Sequence, residues 1–376
     1  MDYSVFLQCL NDHIDTSGKH GRHIIQFSNR IQFLECIQEL YKLRGKYTAL
    51  KNIRIISLLQ ALVCPLTKTS MIWNAKGSLK IEKDARIKEI TTSSGKEPKP
   101  DIPWGVKRIG APAMWSRSTG YGVRIGVIDT GIDYNHPDLK NSVARGANII
   151  NPASLPYDDN GHGTHIAGTI AAAGGIQGMI GVAPRAMIYP VKSFSYDGSA
   201  YVSDIILGID WCIRNKMHVI NMSFGMKSRS SALQSIINKA YSANIIVVAS
   251  AGNDKKNRTV DYPARYSQTI SVGATGRNGK IAGFSNRGPK IDIYAPGERV
   301  QSSWLGGGYR EMSGTSMATS HVSGTIALLL SLRPGLKPDE IKRRLRRTAR
   351  PIGNSNKTKP FIGEVCATRI FKVPKK

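Results

Sequence analysis

Beyond about residue 103 the chain alternates two kinds of apolar pattern. VRIGVID, MIYPVKS, VINMSF and NIIVVASA are nearly continuous apolar runs of strand length, as expected for strands covered on both faces of a parallel sheet. Between them, HGTHIAGTIAAA, VSDIILGIDWCIRN and SALQSIINKAYSA carry apolar residues at helical spacing. Such alternation predicts a doubly wound α/β domain, with its site at the C-terminal ends of the strands.

The first 90 residues follow another rhythm. HIIQFS reads as a strand. NRIQFLECIQELYKLRGK reads as a helix with Ile31, Leu34, Ile37, Leu40 and Tyr41 on one face and Asn29 as its cap. NIRIISL and ALVCPL are β-branched runs of strand length, KTSMIWNAK suits a short helix, and SLKIEKDARI suits a last strand. This order predicts a small α+β unit of ferredoxin-like βαββαβ type. TTSSGKEPKPDIP, from Thr91 to Pro103, is rich in Ser, Gly, Lys and Pro and reads as an exposed linker. Three parts are therefore expected: 1–90, a linker at 91–102, and 103–376.

Composition narrows the class. The 376 residues are 41% hydrophobic, enough for a buried core, and no run is long enough to suggest a transmembrane helix. The start, MDYSVFLQCLNDHIDTSG, lacks the basic and apolar regions of a secretory signal. Cys9, Cys36, Cys64, Cys212 and Cys366 are odd in number and scattered, unlike a disulfide framework or a zinc site. These features favour a cytoplasmic location, with export by a non-standard route as the alternative. The net charge of +27 attracts polyanions. From Arg333 to Lys376 there are fourteen Lys/Arg against three Asp/Glu. Lys342, Arg343, Arg344, Arg346, Arg347 and Arg350 read either as the wet face of a helix with Ile341 and Leu345 inward, or as a weak polyanion-binding patch.

Three short segments carry chemistry. VIDTGID ends a strand on Asp129, which alone could be a turn cap. NGHGTHIAG opens a helix on His162 and His165; two histidines could ligate a metal, but no HExxH or Cys/His set accompanies them. SGTSMATSHVSG places Ser316 at a helix start, where a serine is usually a cap. Taken together and in order, DTGID, HGTHIAG and GTSMA resemble the catalytic motifs of the subtilisin family, over roughly Pro103 to the C-terminal tail. The resemblance implies a serine endopeptidase acting through an acyl-enzyme, with Ser316 as nucleophile, His162 as general base and Asp129 orienting it. VVASAGN then ends on the oxyanion-hole residue Asn253, with the Ser316 N–H as second donor.

The same resemblance implies a peptide-binding cleft. Ser223, Phe224 and Gly225 of MSFG would flank the primary specificity pocket, Ala251 and Gly252 would rim it, and Gly198, Ser199 and Ala200 of YDGSA would form an edge strand for extended substrate. Asp158 and Asp254 lie near the cleft and either favour basic substrates or are solvated acids. RHIIQFS … LKIEKDARI resembles the inhibitory propeptide of many subtilisins. This implies a self-processed zymogen whose partners are polypeptide substrates and its own prodomain, or alternatively a permanent regulatory module. No cofactor is implied for the chemistry. Two departures stand out. Ser320 occupies the position of a usual proline, which is expected to lower hydrolysis. In the calcium loop only Asp138 matches a ligand, with Gly175 and Pro100 at other ligand positions, so calcium binding is expected to be weak or absent. The alternatives are a pseudoprotease scaffold, which the intact motif set disfavours, and another serine hydrolase, which the missing G-x-S-x-G disfavours.

Overall fold

The computed structural model describes residues 2–17, 21–69, 79–89, 91–93, 101–174, 178–352 and 363–372. A nine-stranded sheet forms the larger part. Its central strands are Ile293–Pro296, Thr269–Thr275, Ile246–Ser250, Val219–Met222, Arg124–Asp129 and Met187–Lys192, in that spatial order and all parallel. Ala147–Asn148 closes one edge; Gly363–Glu364 and then Arg350–Pro351 close the other.

Alternate side chains explain the layers. Ile125, Val127, Val219, Ile246 and Val248 point into a core shared with helices His162–Ala171 and Thr315–Leu332. Ile128, Ile220, Met222, Val247 and Ala249 point into the opposite core, shared with helices Val202–Arg214 and Ser231–Ser242. This is the doubly wound α/β arrangement. The strand at Thr269–Thr275 has no counterpart in the sequence reading, because its TISVGAT run mixes hydroxyls with apolar residues.

The small unit is a four-stranded antiparallel sheet in the order Arg54–Ile56, Ala61–Pro65, Arg22–Phe27, Leu79–Lys83. That is the strand order of a ferredoxin-like unit, although the expected short helix at KTSMIWNAK lies mostly outside the described residues. Two findings differ from the sequence reading. A helix, Tyr3–His13, precedes the first strand and is capped by Asp2, whose Oδ1 accepts from Ser4 N at 2.9 Å. Helix Arg30–Leu43, capped by Asn29, turns a different face inward: Phe33, Cys36 and Leu40 are buried, whereas Ile31, Leu34 and Tyr41 are exposed. Both stripes have helical spacing, and contact with the sheet decides between them.

One face of the small sheet packs on its own two helices through Ile25, Phe27, Leu62 and Cys64. The other face sends Ile24, Ile56, Ala61 and Val63 into the core around the Val202–Arg214 and Ser231–Ser242 helices. Polar contacts reinforce this seam at both helix N-termini. Asp84 accepts from Ser203 N at 2.9 Å and Ser203 Oγ at 2.7 Å, and Glu82 accepts from Ser231 N at 3.0 Å and Ala232 N at 3.2 Å. Carboxylates there satisfy orphan N–H groups and suit the helix dipole. Arg22 bridges Asp84 and Asp204.

Candidate active site

The C-terminal edge of the large sheet gathers the motif residues. Asp129 ends its strand and accepts from Thr130 N at 2.8 Å. His162 opens its helix after Gly161, whose φ of +106° favours glycine and whose Cβ would lie 2.3 Å from the Trp304 ring. Gly163 is equally constrained, since a Cβ there would meet the Gly131 carbonyl at 2.0 Å. The helix start thus presses onto the Asp129 turn, and His162 Nδ1 donates to Asp129 Oδ1 at 2.7 Å. A carboxylate can only accept, so the proton sits on Nδ1 and the neutral ring keeps its lone pair on Nε2. His162 Nε2 is buried with no hydrogen-bond partner among the described residues.

Ser316 is the second residue of helix Thr315–Leu332. Its Oγ donates to the Ser223 carbonyl at 2.8 Å rather than to His162. Asn253 Oδ1 accepts from Thr315 N at 2.9 Å and Thr315 Oγ1 at 2.8 Å, which fixes the sense of its amide. Gly252 N donates to Thr315 Oγ1 at 3.2 Å, tying that loop to the same helix start, and Ala251 N donates to Val272 O. Ser320 Oγ donates back to the Ser316 carbonyl at 3.1 Å.

A strand from the small unit fills the cleft. The sequence reads SLKIEKDARI as one strand, but it breaks at Asp84 and Ala85: Leu79–Lys83 stays in the small sheet and Arg86–Glu89 leaves it. Arg86–Glu89 runs antiparallel between Ser199–Tyr201 and Phe224–Gly225, pairing Ile87 with Ala200, Lys88 with Ser199 and Gly225, and Glu89 with Phe224. Glu89 N also donates to Gly198 O at 2.9 Å. Ile87 is buried. Further on, Thr92 and Ser93 pair with Ser313 and Met312, just ahead of Ser316.

Glu89 has no motif to mark it, yet its Oε2 lies 3.4 Å from His162 Nδ1. Burial opposes charge on His162, but the carboxylates of Asp129 and Glu89 outweigh it and raise the imidazole pKa to about 9. Burial is also the main cause that raises the Glu89 carboxyl, with the His162 charge acting against it. Burial, with the neighbouring His162, lowers His165 to about 3, and its Nε2 lies 3.1 Å from the Val300 and Arg310 carbonyls. Glu89, Asp129 and His162 bring ligand-type atoms within 4.8 Å of one another, as a metal site would. Asp129 and His162 already bond each other, however, and Glu89 belongs to the strand paired between Ser199–Tyr201 and Phe224–Gly225.

The two acids expected near the cleft do other work. Asp158 is fully buried and accepts from Thr130 Oγ1, Asn160 N, Gly161 N, and Thr164 N and Oγ1. Asp254 pairs with Lys227 and Lys256. Asp138 Oδ2 accepts from Met179 N at 3.0 Å and Tyr309 OH at 2.8 Å; Gly175 and Pro100 lie outside the described residues.

The subtilase family profile matches residues 120–363. A thermostable alkaline protease of Halalkalibacterium halodurans is 43% identical over 276 residues, covering 73% of this chain and 75% of that protein. Subtilisin E of Bacillus subtilis is 46% identical over 259 residues, 68% of each chain. M-protease of Shouchella clausii is 43% identical over 277 residues, 73% of this chain and 70% of that protein. These relatives overturn the expected cytoplasmic location, because subtilisins and alkaline proteases of this group point away from it. The cysteines misled for a physical reason. Burial raises the thiol of Cys36 to about 12 and pushes Cys64 and Cys212 up as well. Thiols so reluctant to ionise are inert in any compartment. Among the described residues no helix is long and apolar enough to cross a membrane. Motif order, sheet topology and these similarities converge: the chain belongs to the subtilase family and is a serine endopeptidase.

Proposed function

We propose that Ser316 attacks the carbonyl carbon of a peptide bond while His162 Nε2 takes its hydroxyl proton. The imidazolium is stabilised by Asp129 and returns the proton to the leaving amine; water then attacks the acyl-enzyme by the same route. Asn253 and the Ser316 N–H donate to the oxyanion, where the start of the Thr315–Leu332 helix favours negative charge. Catalysis begins when Ser316 Oγ rotates from the Ser223 carbonyl towards His162. No cofactor enters the chemistry.

Residues 1–90 act as an inhibitory prodomain and the chain as its own first substrate. The observation that carries this is the path of the tail. It enters between Ser199–Tyr201 and Phe224–Gly225, the two edges read here as substrate-binding, and leaves along the strand leading into Ser316. The bond cleaved therefore lies between Glu89 and Thr92, at the near edge of the linker. The test is to express the chain beside Ser316→Ala. The unaltered chain should split from 41.1 kDa into two fragments, the larger beginning at residue 90, 91 or 92, and should hydrolyse casein. Ser316→Ala should stay whole and lose about 10⁶ in kcat, a magnitude measured in subtilisin itself. Splitting of Ser316→Ala in the absence of other proteases would defeat the reading.

Calcium fits the Asp138 site poorly, because the Met179 N–H and Tyr309 hydroxyl already donate to one of its carboxylate oxygens. Polyanion binding by the basic tail would be weak. Lys342 and Arg346 pair with Asp292, Arg344 with Glu340 and Arg350 with Glu364. Retention on heparin that falls steeply with salt would argue otherwise.

A further inference from the structure

The cleft contains a buried carboxylate that no motif announces. Asp261 is 3% exposed and sits between the segments that wall and rim the specificity pocket. A Cβ on Gly225 would lie 2.9 Å from Asp261 Cβ and 3.0 Å from its Oδ2. A Cβ on Gly252, whose φ is +101°, would lie 2.4 Å from the same Oδ2. The backbone holds the residue there: Asp261 N donates to the Ala251 carbonyl at 3.0 Å, and the next residue, Tyr262, exchanges hydrogen bonds with Met226 at 2.8 and 2.9 Å. The absent side chains of Gly225 and Gly252 are thus what gives the carboxylate its space between the two walls.

An ammonium group is already seated on it. Lys227 Nζ lies 2.7 Å from Asp261 Oδ2 and also pairs with Asp254. The Lys227 side chain is 50% exposed, whereas that of Asp261 is 3% exposed. A half-exposed cation on a flexible stem is exchangeable; a buried carboxylate fixed by its backbone is not. Nearby Asp254 offers Lys227 a second resting place, shared with Lys256 at 3.7 Å.

We propose that Asp261 is the floor of the primary specificity pocket and selects substrates with lysine or arginine on the acyl side of the cleaved bond, Lys227 filling the place of that side chain until substrate displaces it onto Asp254. This rests on the reading that Ser223–Gly225 and Ala251–Gly252 line the substrate cleft. The arriving cation would replace one charge pair with another, whereas an apolar side chain would leave Asp261 to Lys227 and gain no ion pair. The chain's own tail has no Lys or Arg from Glu89 to Thr92. Its cleavage is intramolecular, and the effective concentration of the docked strand replaces pocket fit.

The test compares kcat/KM for peptides that differ only in that residue: Arg, Lys, Leu or Phe. The processed enzyme should prefer Arg and Lys over Leu and Phe by about tenfold or more. Asp261→Asn should abolish the preference, chiefly by losing the basic substrates, while thermal melting confirms that the variant is folded. Lys227→Ala should raise kcat/KM for the basic substrates several-fold, since the competing ammonium is gone. Preference for Leu or Phe in both the unaltered enzyme and Lys227→Ala would overturn the proposal and leave Asp261–Lys227 a structural pair. A small organophosphate that labels serine without needing a pocket separates the two levels. Labelling of Ser316 together with an apolar preference defeats this inference alone; no labelling defeats the catalytic reading as well.

Discussion

The cleft is assembled from two sources that are held in different ways. On one side, Asp129, His162, Asn253 and Ser316 are buried or pinned by hydrogen bonds to backbone and neighbouring side chains of the large unit. On the other, Glu89 and Ile87 ride on a tail strand, held by pairing with two edges and by the seam at Asp84 and Glu82. The difference teaches what each side is for. On the proposed mechanism, residues fixed by the core set the rate. On the same proposal, residues brought by the tail set whether the cleft is open.

That division can be broken from either side. Asn253→Ala should lower kcat by about 10²–10³, the loss measured for this donor in subtilisin, while leaving the tail docked; steady-state kinetics on a peptide substrate would show it. A tenfold loss or less would mean that Asn253 is not an oxyanion donor. Asp84→Ala acts on the other source. It uncaps the Val202–Arg214 helix and takes one partner from Arg22, at a cost of about 2 kcal/mol in the hold of the small unit. The processed complex should then show about thirtyfold less self-inhibition at unchanged kcat.

A finer test joins the two sources. Only the neutral His162 can take the Ser316 proton, and its pKa stands at about 9 while Asp129 and Glu89 both face it. Glu89→Gln removes one of those charges. The pKa should fall, and the acid limb of the self-cleavage rate, read from gels between pH 5 and 10, should move to lower pH. An unmoved limb would detach Glu89 from the base. The smallest effect is expected from Ser320→Pro, which removes the bond from Ser320 Oγ to the Ser316 carbonyl. A rise of about threefold in kcat/KM would show that the serine relaxes the helix start; no change would end that idea.

The large sheet was legible because strands buried on both faces must be apolar throughout. The motif segments were legible because close approach excludes side chains, as Gly163 against the Gly131 carbonyl shows. Long-range choices were not. Nothing local in SLKIEKDARI says that Asp84 will cap a helix 119 residues away and break the run into two strands. The helix at Arg30–Leu43 offers two apolar stripes, and only the sheet beneath it picks Phe33 and Cys36 over Ile31 and Leu34. Asp158 and Asp254 stand beside the motif segments in sequence, whereas Asp261 is brought against Gly225 and Gly252 by backbone hydrogen bonds that no spacing encodes.

The small sheet hides one of its faces in a core that belongs to the large unit. Once the tail is cut, departure of the small unit wets Ile24, Ile56, Ala61 and Val63 together. If the chain is processed as proposed, the freed fragment should lose much of what keeps it folded and become food for the enzyme it has just left. On that proposal each liberated molecule would destroy the inhibitor of others. Activation should run as a chain reaction, with a lag set by the first escape and shortened by adding a trace of mature enzyme.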